Sequence, residues 1–247
     1  MFPYDPQIQQ ALATSPQTIA QVLSTMQTLD GLMAEDDGLK WFNWLYMEVT
    51  DAVEQRVAGG GFADPQWLAQ LDVQFARLYF SALSNWLAGR ATPGCWSAVF
   101  DRRGQSSIAR IQFAMAGINA HINHDLAVAI DNTCQATRTA PAHGTAQYND
   151  YTGVNGTLDG LVEVAKQKLM IRLSGEAMPA VSHVEDTIAG WNVAAAREGA
   201  WVNAEVLWTL RNTPMLWSRW LGAVDGLTTV AGKALLVAVP AVNAIAA

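Results

Sequence analysis

Apolar residues recur along most of the chain at intervals of three and four positions, which is the period of an amphipathic α-helix. The pairs Ser15-Pro16 and Asp64-Pro65 each place a capping residue before a proline, a pattern typical of helix N-termini. Asp36-Asp37 can cap a further helix that runs toward Val57. No segment shows a sustained alternation of apolar and polar residues, so the pattern predicts an all-α fold.

These signals predict one helical domain, residues 1–247, that forms a bundle of about seven or eight helices. The first 14 residues or so, and the tail after Val239, could be extended. Residues 137–153 are rich in Ala, Pro, Gly, Asn and Thr and are predicted to form a loop. The expected helices cover about residues 15–29, 36–57, 64–87, 96–100, 106–133, 154–173, 184–211 and 214–239.

Composition narrows the class of protein. Hydrophobic residues make up 51% of the chain and charged residues 15%, which excludes intrinsic disorder. The net charge of −7 and the lack of a basic cluster argue against a nucleic-acid partner. The N-terminus lacks the features of a secretory signal, and the apolar C-terminal stretch from Ala234 has only 14 residues, too few for a membrane span. We therefore expect a cytoplasmic protein; if the apolar tail is exposed, it favours a homodimer.

A polar string from Asn119 to Asp125 lies inside the expected apolar helix 106–133. At about 100° per residue, His121, His124 and Asp125 project from one sector of that helix, and Asn119 and Asn123 point to the other side. A buried carboxylate costs several kcal/mol unless it is paired or binds a cation. The nearest compensation for Asp125 is His121, four residues earlier, or a metal that both residues share.

Two kinds of chemistry fit this string. Imidazole and carboxylate groups at helical spacing suit zinc, manganese or iron, so His121, His124 and Asp125 are candidate ligands, with His183 from a later helix. A metal-bound water would then be the nucleophile. In the metal-free alternative, His121 and Asp125 are a catalytic acid–base pair with His124 beside them. A purely structural hydrogen-bond network is the third possibility.

The helix over residues 36–57 is apolar on most sides, but Asn43, Tyr46 and Thr50 share one face of it. Each buried polar group without a partner costs about 1–3 kcal/mol, so this face needs partners. It is either a polar seam between helices or one wall of a small-molecule pocket. In a pocket, Tyr46 is the candidate catalytic residue, and the candidate substrate contacts are Asn43, Thr50, Asn119 and Trp44.

Three blocks of sequence resemble a bacterial family catalogued only as a domain of unknown function, number 5995. The resemblance runs from about residue 30 to residue 236 and is strongest in the central block. The family label implies no activity. The residues that carry the resemblance are Asp37-Gly38, Phe42-Asn43, Tyr46, Val49-Thr50 and Val53; Leu71-Asp72-Val73, Phe75-Ala76 and Tyr79-Phe80; and Ala116-Gly117, Asn119-Ala120-His121-Ile122-Asn123 and Asp125-Leu126.

These features together predict an enzyme that acts on a small, largely apolar molecule at a buried His/Asp/Asn site between helices. A metal-dependent hydrolase or oxygenase is one possibility. The alternatives are a metal-free cyclase, isomerase or lyase of a natural-product pathway, or a non-catalytic helical module that binds a hydrophobic ligand.

Overall fold

The computed structural model describes residues 1–156, 158, 160 and 192–238, and this part contains nine helices and no strand. The all-α prediction is confirmed for these residues, whereas the predicted number of seven or eight helices was too low. The central helix, α6, runs from Arg110 to Thr137 and contains a π-helical turn. The helices are α1 (Asp5–Ala11), α2 (Ile19–Leu32), α3 (Gly38–Ala58), α4 (Pro65–Leu87), α5 (Gly94–Phe100), α6 (Arg110–Ala120, the π-helical turn His121–Asp125 and Leu126–Thr137), α7 (Ala146–Gly153), α8 (Val193–Leu210) and α9 (Pro214–Leu235).

Two predicted caps are confirmed. Asp37 accepts a hydrogen bond from the Leu39 amide at 3.0 Å, and Asp64 accepts one from the Trp67 amide at 3.0 Å. The start of α2 was placed too early, because Thr18 is the residue that caps it. Helix α6 begins at Arg110 and ends at Thr137, about four residues later at each end than predicted. The prediction for residues 161–191, which includes His183, and that for the tail after Val239 lie outside the described residues.

Two short helices replace segments that were predicted to be non-helical. Helix α1 lies within the N-terminal stretch that could have been extended, and α7 lies within the predicted loop 137–153. Tertiary contacts hold α7, since its Asp150 accepts hydrogen bonds from the amides of Ala63 and Asp64 at 2.9 and 2.6 Å. Helices this short show no extended apolar stripe, so periodicity does not detect them.

Helices α3 and α6 pack closely because glycine stands at two of their contacts. A Cβ atom added to Gly117 of α6 would lie 2.4 Å from the ring of Phe42, and one added to Gly38 of α3 would lie 2.4 Å from the ring of Phe113. The two helices therefore approach more closely than larger residues would allow. This packing sets Phe42 and the next turn of α3 beside the middle of α6.

Helix α6 is the centre of the core, and nearly every residue of it from Ile111 to Ile130 is buried. Helices α3, α4, α8 and α9 all pack against it. Within the described ranges, no helix has both the length and the apolar character that a bilayer crossing requires.

Candidate functional site

A cavity of about 110 Å³ lies where α3, α4, α6 and α8 meet. An apolar cavity of about 150 Å³ holds a benzene molecule, so this one suits a single small ring or a short chain. Thirteen of its described wall residues are aliphatic or aromatic: Phe42, Leu45, Val49, Val53, Leu68, Leu71, Phe75, Ile118, Ile122, Leu126, Val154, Leu158 and Val193. The other five carry polar groups: Tyr46, Thr50, Asp72, His121 and Arg197.

His121 is held rigidly in this wall. Its Nδ1 lies 3.0 Å from Oδ2 of Asp125, one helical turn later. Its ring stacks on Phe75 with centroids 3.5 Å apart and contacts the ring of Tyr46 edge-on at 4.4 Å. The other ring nitrogen, Nε2, is buried and has no hydrogen-bond partner among the described residues. The side chain therefore brings one unpaired nitrogen to an apolar cavity.

Asp125 does not line the cavity, but it organises the groups around it. Its Oδ2 also accepts a hydrogen bond from Nε1 of Trp96 at 2.8 Å, and its Oδ1 pairs with Nδ1 of His124 at 2.8 Å. Burial alone would raise the pKa of Asp125, but the hydrogen bonds from His121 and His124 hold that pKa below its ordinary value. A carboxylate that is only 2% exposed is thus ionised and fully partnered.

The pKa values of the two histidines are shifted in opposite directions. Burial lowers the pKa of His121 and outweighs the opposing effect of Asp125, so this imidazole is neutral at neutral pH. For His124, the carboxylates of Asp125 and Asp225 outweigh burial and raise the pKa. Because Asp125 is ionised, Nδ1 of His121 carries the proton and donates it to Oδ2. A lone pair therefore remains on Nε2, which is the state that a general base needs.

Both histidines belong to the π-helical turn of α6, but of the two only His121 lines the cavity. Over His121–Asp125 the backbone widens, and the amide of Leu126 bonds to the carbonyl of His121, five residues earlier. His124 contacts Asp125, as His121 does, and it also lies beside Cys95 and Asp225. π-helical turns of this kind are frequent at functional sites.

Tyr46 and Thr50 lie where the pocket interpretation placed them, one turn apart on α3 at the cavity wall. Neither hydroxyl makes a well-formed hydrogen bond to a described residue. Burial, followed by the charge of Asp72, raises the pKa of Tyr46 well above its ordinary value, and Thr50 only partly opposes this. Tyr46 is therefore a neutral phenol that can donate a hydrogen bond into the cavity.

Asp72 is a site residue that the sequence interpretation missed. One of its oxygens, Oδ2, is buried without a hydrogen-bond partner among the described residues. Burial and the nearby Glu54 raise the pKa of Asp72 to about 7, against the opposing charge of Arg197. A signal was present, because Asp72 shares the cavity face of α4 with Leu68 and Phe75, four residues before and three after it.

Arg197 was also missed, and no local pattern marks it. Its Nε donates to Oδ1 of Asn155 at 2.7 Å, and its Nη2 donates to the carbonyl oxygen of Tyr151 at 2.8 Å. Its guanidinium group lies 4.0 Å from the centre of the Tyr151 ring. These partners are more than 40 residues away in sequence. Arg197 is thus held by Asn155 and Tyr151, and it contributes a positive charge to the cavity wall.

Three predicted substrate contacts do not line this cavity. Asn43 donates to the carbonyl oxygen of Met26 at 3.0 Å, which ties α3 to α2. Asn119 donates to the carbonyl oxygen of Thr228 at 2.9 Å, which ties α6 to α9. Trp44 is also absent from the wall. Asn43 thus fits the polar-seam alternative, and Asn119 also ties two helices together, whereas Tyr46 and Thr50 lie in the cavity wall, as the pocket alternative predicts.

The predicted metal ligands are not brought together as one set. Nδ1 of both His121 and His124 is engaged by Asp125, and His121 lines the cavity whereas His124 does not. Among the described residues, three potential ligand atoms lie within 4.8 Å of one another in a different group, which consists of Cys95, His124 and Asp225. His183, the fourth predicted ligand, lies outside the described residues.

Comparison with known proteins places the chain in a family. The family of unknown function DUF5995 matches residues 19–238, so the chain belongs to it, as the resemblance predicted. No curated protein and no solved structure gives a significant match. Because the family description states no activity, the function has to be argued from the site.

Proposed function

We propose that this member of DUF5995 is an enzyme that transfers a proton on a small, largely apolar molecule bound in the cavity, with His121 as the general base. The observation that carries the proposal is the state of His121: Nδ1 is tied to Asp125 at 3.0 Å, and Nε2 is buried and unpaired at an apolar wall. A buried nitrogen without a partner costs free energy. A ligand that supplies a proton to it removes that cost.

The polar groups of the wall suit a carbonyl compound. The C–H bond next to the carbonyl breaks, its proton goes to Nε2 of His121, and the electron pair moves onto the carbonyl oxygen. That oxygen then accepts hydrogen bonds from the phenol of Tyr46 and from the protonated carboxyl of Asp72. A tyrosine and a neutral carboxylic acid in an apolar site are an effective pair of donors to an enolate. Return of the proton to a different carbon completes an isomerisation, and loss of a neighbouring leaving group completes an elimination.

Asp125 is a positioning residue in this mechanism. It holds the tautomer that leaves Nε2 free, and its negative charge stabilises the imidazolium that forms when His121 takes the proton. The stacking of Phe75 on His121 fixes the plane of the ring. Fixed orientation matters because misplacement of a base by about 1 Å can cost about 100-fold in rate.

The metal-dependent hydrolase or oxygenase that the sequence also suggested is less well supported at this cavity. A catalytic zinc has three protein ligands. The described wall offers one imidazole and one carboxylate, those of His121 and Asp72. Acid–base chemistry therefore uses more of the groups that this wall provides.

Exchange of carbon-bound hydrogen tests the proposal without knowledge of the natural substrate. A panel of small cyclic ketones and enones is incubated with the protein in D₂O, and deuterium uptake is followed by mass spectrometry. We expect His121→Gln to reduce the exchange rate by at least about 100-fold, since general-base catalysis contributes that much or more.

The matched control is His143→Gln. His143 is exposed, lies outside the cavity wall and pairs with Glu198 and Glu205. The His143→Gln variant should catalyse deuterium exchange at the wild-type rate. If the panel raises the melting temperature of wild-type protein and of His121→Gln equally, and no exchange occurs, the enzyme proposal is wrong. The chain is then a hydrophobic-ligand-binding module, the alternative that the apolar wall also permits.

Association as a homodimer and a cytoplasmic location remain proposals. Exposed large apolar side chains of the described part are concentrated on α9, where exposures range from 40% to 76%: Met215, Leu216, Trp220, Leu227 and Val230. Contiguous apolar surface often marks a protein contact. Sedimentation equilibrium at several concentrations would show a monomer if the dimer prediction is wrong.

A further inference from the structure

A second group of reactive side chains lies where α5, α6 and α9 meet. Cys95 of α5, His124 of α6 and Asp225 of α9 each direct one potential ligand atom to a common region, and these atoms lie within 4.8 Å of one another. Cys95 and His124 are buried, and Asp225 is partly buried. None of the three lines the cavity that contains His121.

His124 is oriented as a metal-bound histidine usually is. Its Nδ1 pairs with Oδ1 of Asp125 at 2.8 Å, which leaves Nε2 as the nitrogen available to a ligand. Histidine ligands almost always donate their other ring N–H to a carboxylate, a carbonyl or water, and this second contact fixes the ring and makes it a better ligand. The contact with Asp125 is an observation independent of the three-residue group itself.

Asp225 is held in place by backbone groups. Its Oδ2 accepts a hydrogen bond from the Gly94 amide at 2.8 Å, and its Oδ1 accepts one from the Cys95 amide at 2.9 Å. Each carboxylate oxygen keeps a further lone pair for a cation. A Cβ atom on Gly94 would lie 2.8 Å from Oγ1 of Thr229 and 3.1 Å from Oδ2 of Asp225. Glycine at this position therefore permits the close approach that brings Asp225 to Cys95.

We propose that Cys95, His124 and Asp225 bind one divalent cation of the zinc type, with a fourth position open to water or an external ligand. Sulfur, nitrogen and oxygen donors are the set that zinc takes, and three protein ligands with one open position are typical of its reactive sites. Coordination replaces the proton of the Cys95 thiol, which is released to solvent. The site is separate from the proposed proton-transfer site and does not depend on it, although Asp125 contacts a histidine of each.

Cobalt is the best probe, because a Co²⁺–thiolate bond absorbs in the near ultraviolet. Full-length protein is stripped with a chelator and then titrated with Co²⁺ by absorption and with Zn²⁺ by calorimetry. We expect one metal ion per chain and a thiolate band in wild-type protein. Cys95→Ser should lose the band and bind Zn²⁺ at least about 10-fold more weakly, in line with the loss of a ligand.

Cys134→Ser is the matched control, because Cys134 is the other buried free cysteine and is not part of the group. It should keep both the band and the affinity, and His121→Gln should do so as well. His124→Gln is a second test should Cys95→Ser fail to fold, and we expect it to weaken binding of Zn²⁺ to a similar extent. The absence of a thiolate band in wild-type protein, or equal Zn²⁺ affinity in wild-type protein and a folded Cys95→Ser or His124→Gln, would overturn the proposal.

Discussion

Gly117→Ala tests the close contact of α3 with α6, on which the position of His121 depends. The added Cβ would lie 2.4, 2.5 and 2.7 Å from three atoms of Phe42. Phe42 is 1% exposed. Its ring is enclosed by those of Tyr79, Trp96 and His121, with centroids 5.0, 5.2 and 5.7 Å away. These rings restrict the rotation of Phe42, so the clash is relieved only if α3 and α6 separate or if Phe42 moves into the cavity that it lines.

Two opposing effects determine the magnitude. Overpacking a buried site costs about 1–3 kcal/mol, whereas alanine in place of glycine within a helix contributes about 0.5–1 kcal/mol of stability. Because three atoms clash and the neighbours are fully buried, the cost lies toward the upper end of its range. We expect a net loss of about 2 kcal/mol in the free energy of unfolding. For a chain of this length, that loss lowers the melting temperature by about 4–8 °C.

Thermal unfolding followed by circular dichroism and calorimetry measures the effect. The control is Gly31→Ala in α2, where an added Cβ meets nothing within 4 Å. Only the helix preference acts there, so this variant should melt about 1–4 °C higher than wild type. A Gly117→Ala protein as stable as wild type would show that α3 and α6 do not pack as tightly as described and that Gly117 does not set the position of His121.

Two further predictions concern the carboxylates of Asp72 and Asp37. Because burial raises the pKa of Asp72 to about 7 from 3.8, wild-type protein loses stability as pH rises through that interval. Asp72→Asn should avoid this loss. The difference in melting temperature between this variant and wild type should therefore increase from pH 4 to pH 7 and level off above pH 7. A difference that does not change with pH would contradict the raised pKa of Asp72. By the proposed mechanism, its exchange rate should also persist above pH 7, where that of wild type falls. Asp37 is fully buried and pairs with Arg103. Asp37→Asn should therefore lower the free energy of unfolding by about 3 kcal/mol, as measured by denaturant unfolding. The control is Asp51→Asn at an exposed position of α3, which should change that free energy by less than about 0.5 kcal/mol.

Features that depend on neighbours in sequence could be predicted from the sequence. Asp37 and Asp64 cap helices because a short polar side chain reaches an amide two or three residues ahead. The pair His121 and Asp125 is likewise local, since residues four apart meet on one helix face. The segment from Asn119 to Asp125 could be identified because burying polar groups inside an apolar helix costs free energy unless they are paired.

Features that depend on distant partners could not be predicted in the same way. In the sequence, Asp72 stands out only as a charged residue within an apolar stripe. Its place in a cavity wall depends on α3, α6 and α8, which complete that cavity. Arg197 is positioned by Tyr151 and Asn155, which no local pattern connects to it. The group of Cys95, His124 and Asp225 comes from three helices and exists only where those helices meet.

By itself, the sequence determined the helical class, the starts of α3 and α4 and the polar segment that holds the His121–Asp125 pair, because each follows from interactions within a turn or two of helix. The tertiary structure decided which way each polar group faces. Of the two histidines in the π-helical turn, only His121 lines the cavity, and the glycine contacts of α3 with α6 set the wall of that cavity. Those outcomes depend on how closely helices approach and where they cross, and these distances are set by packing between residues far apart in the chain.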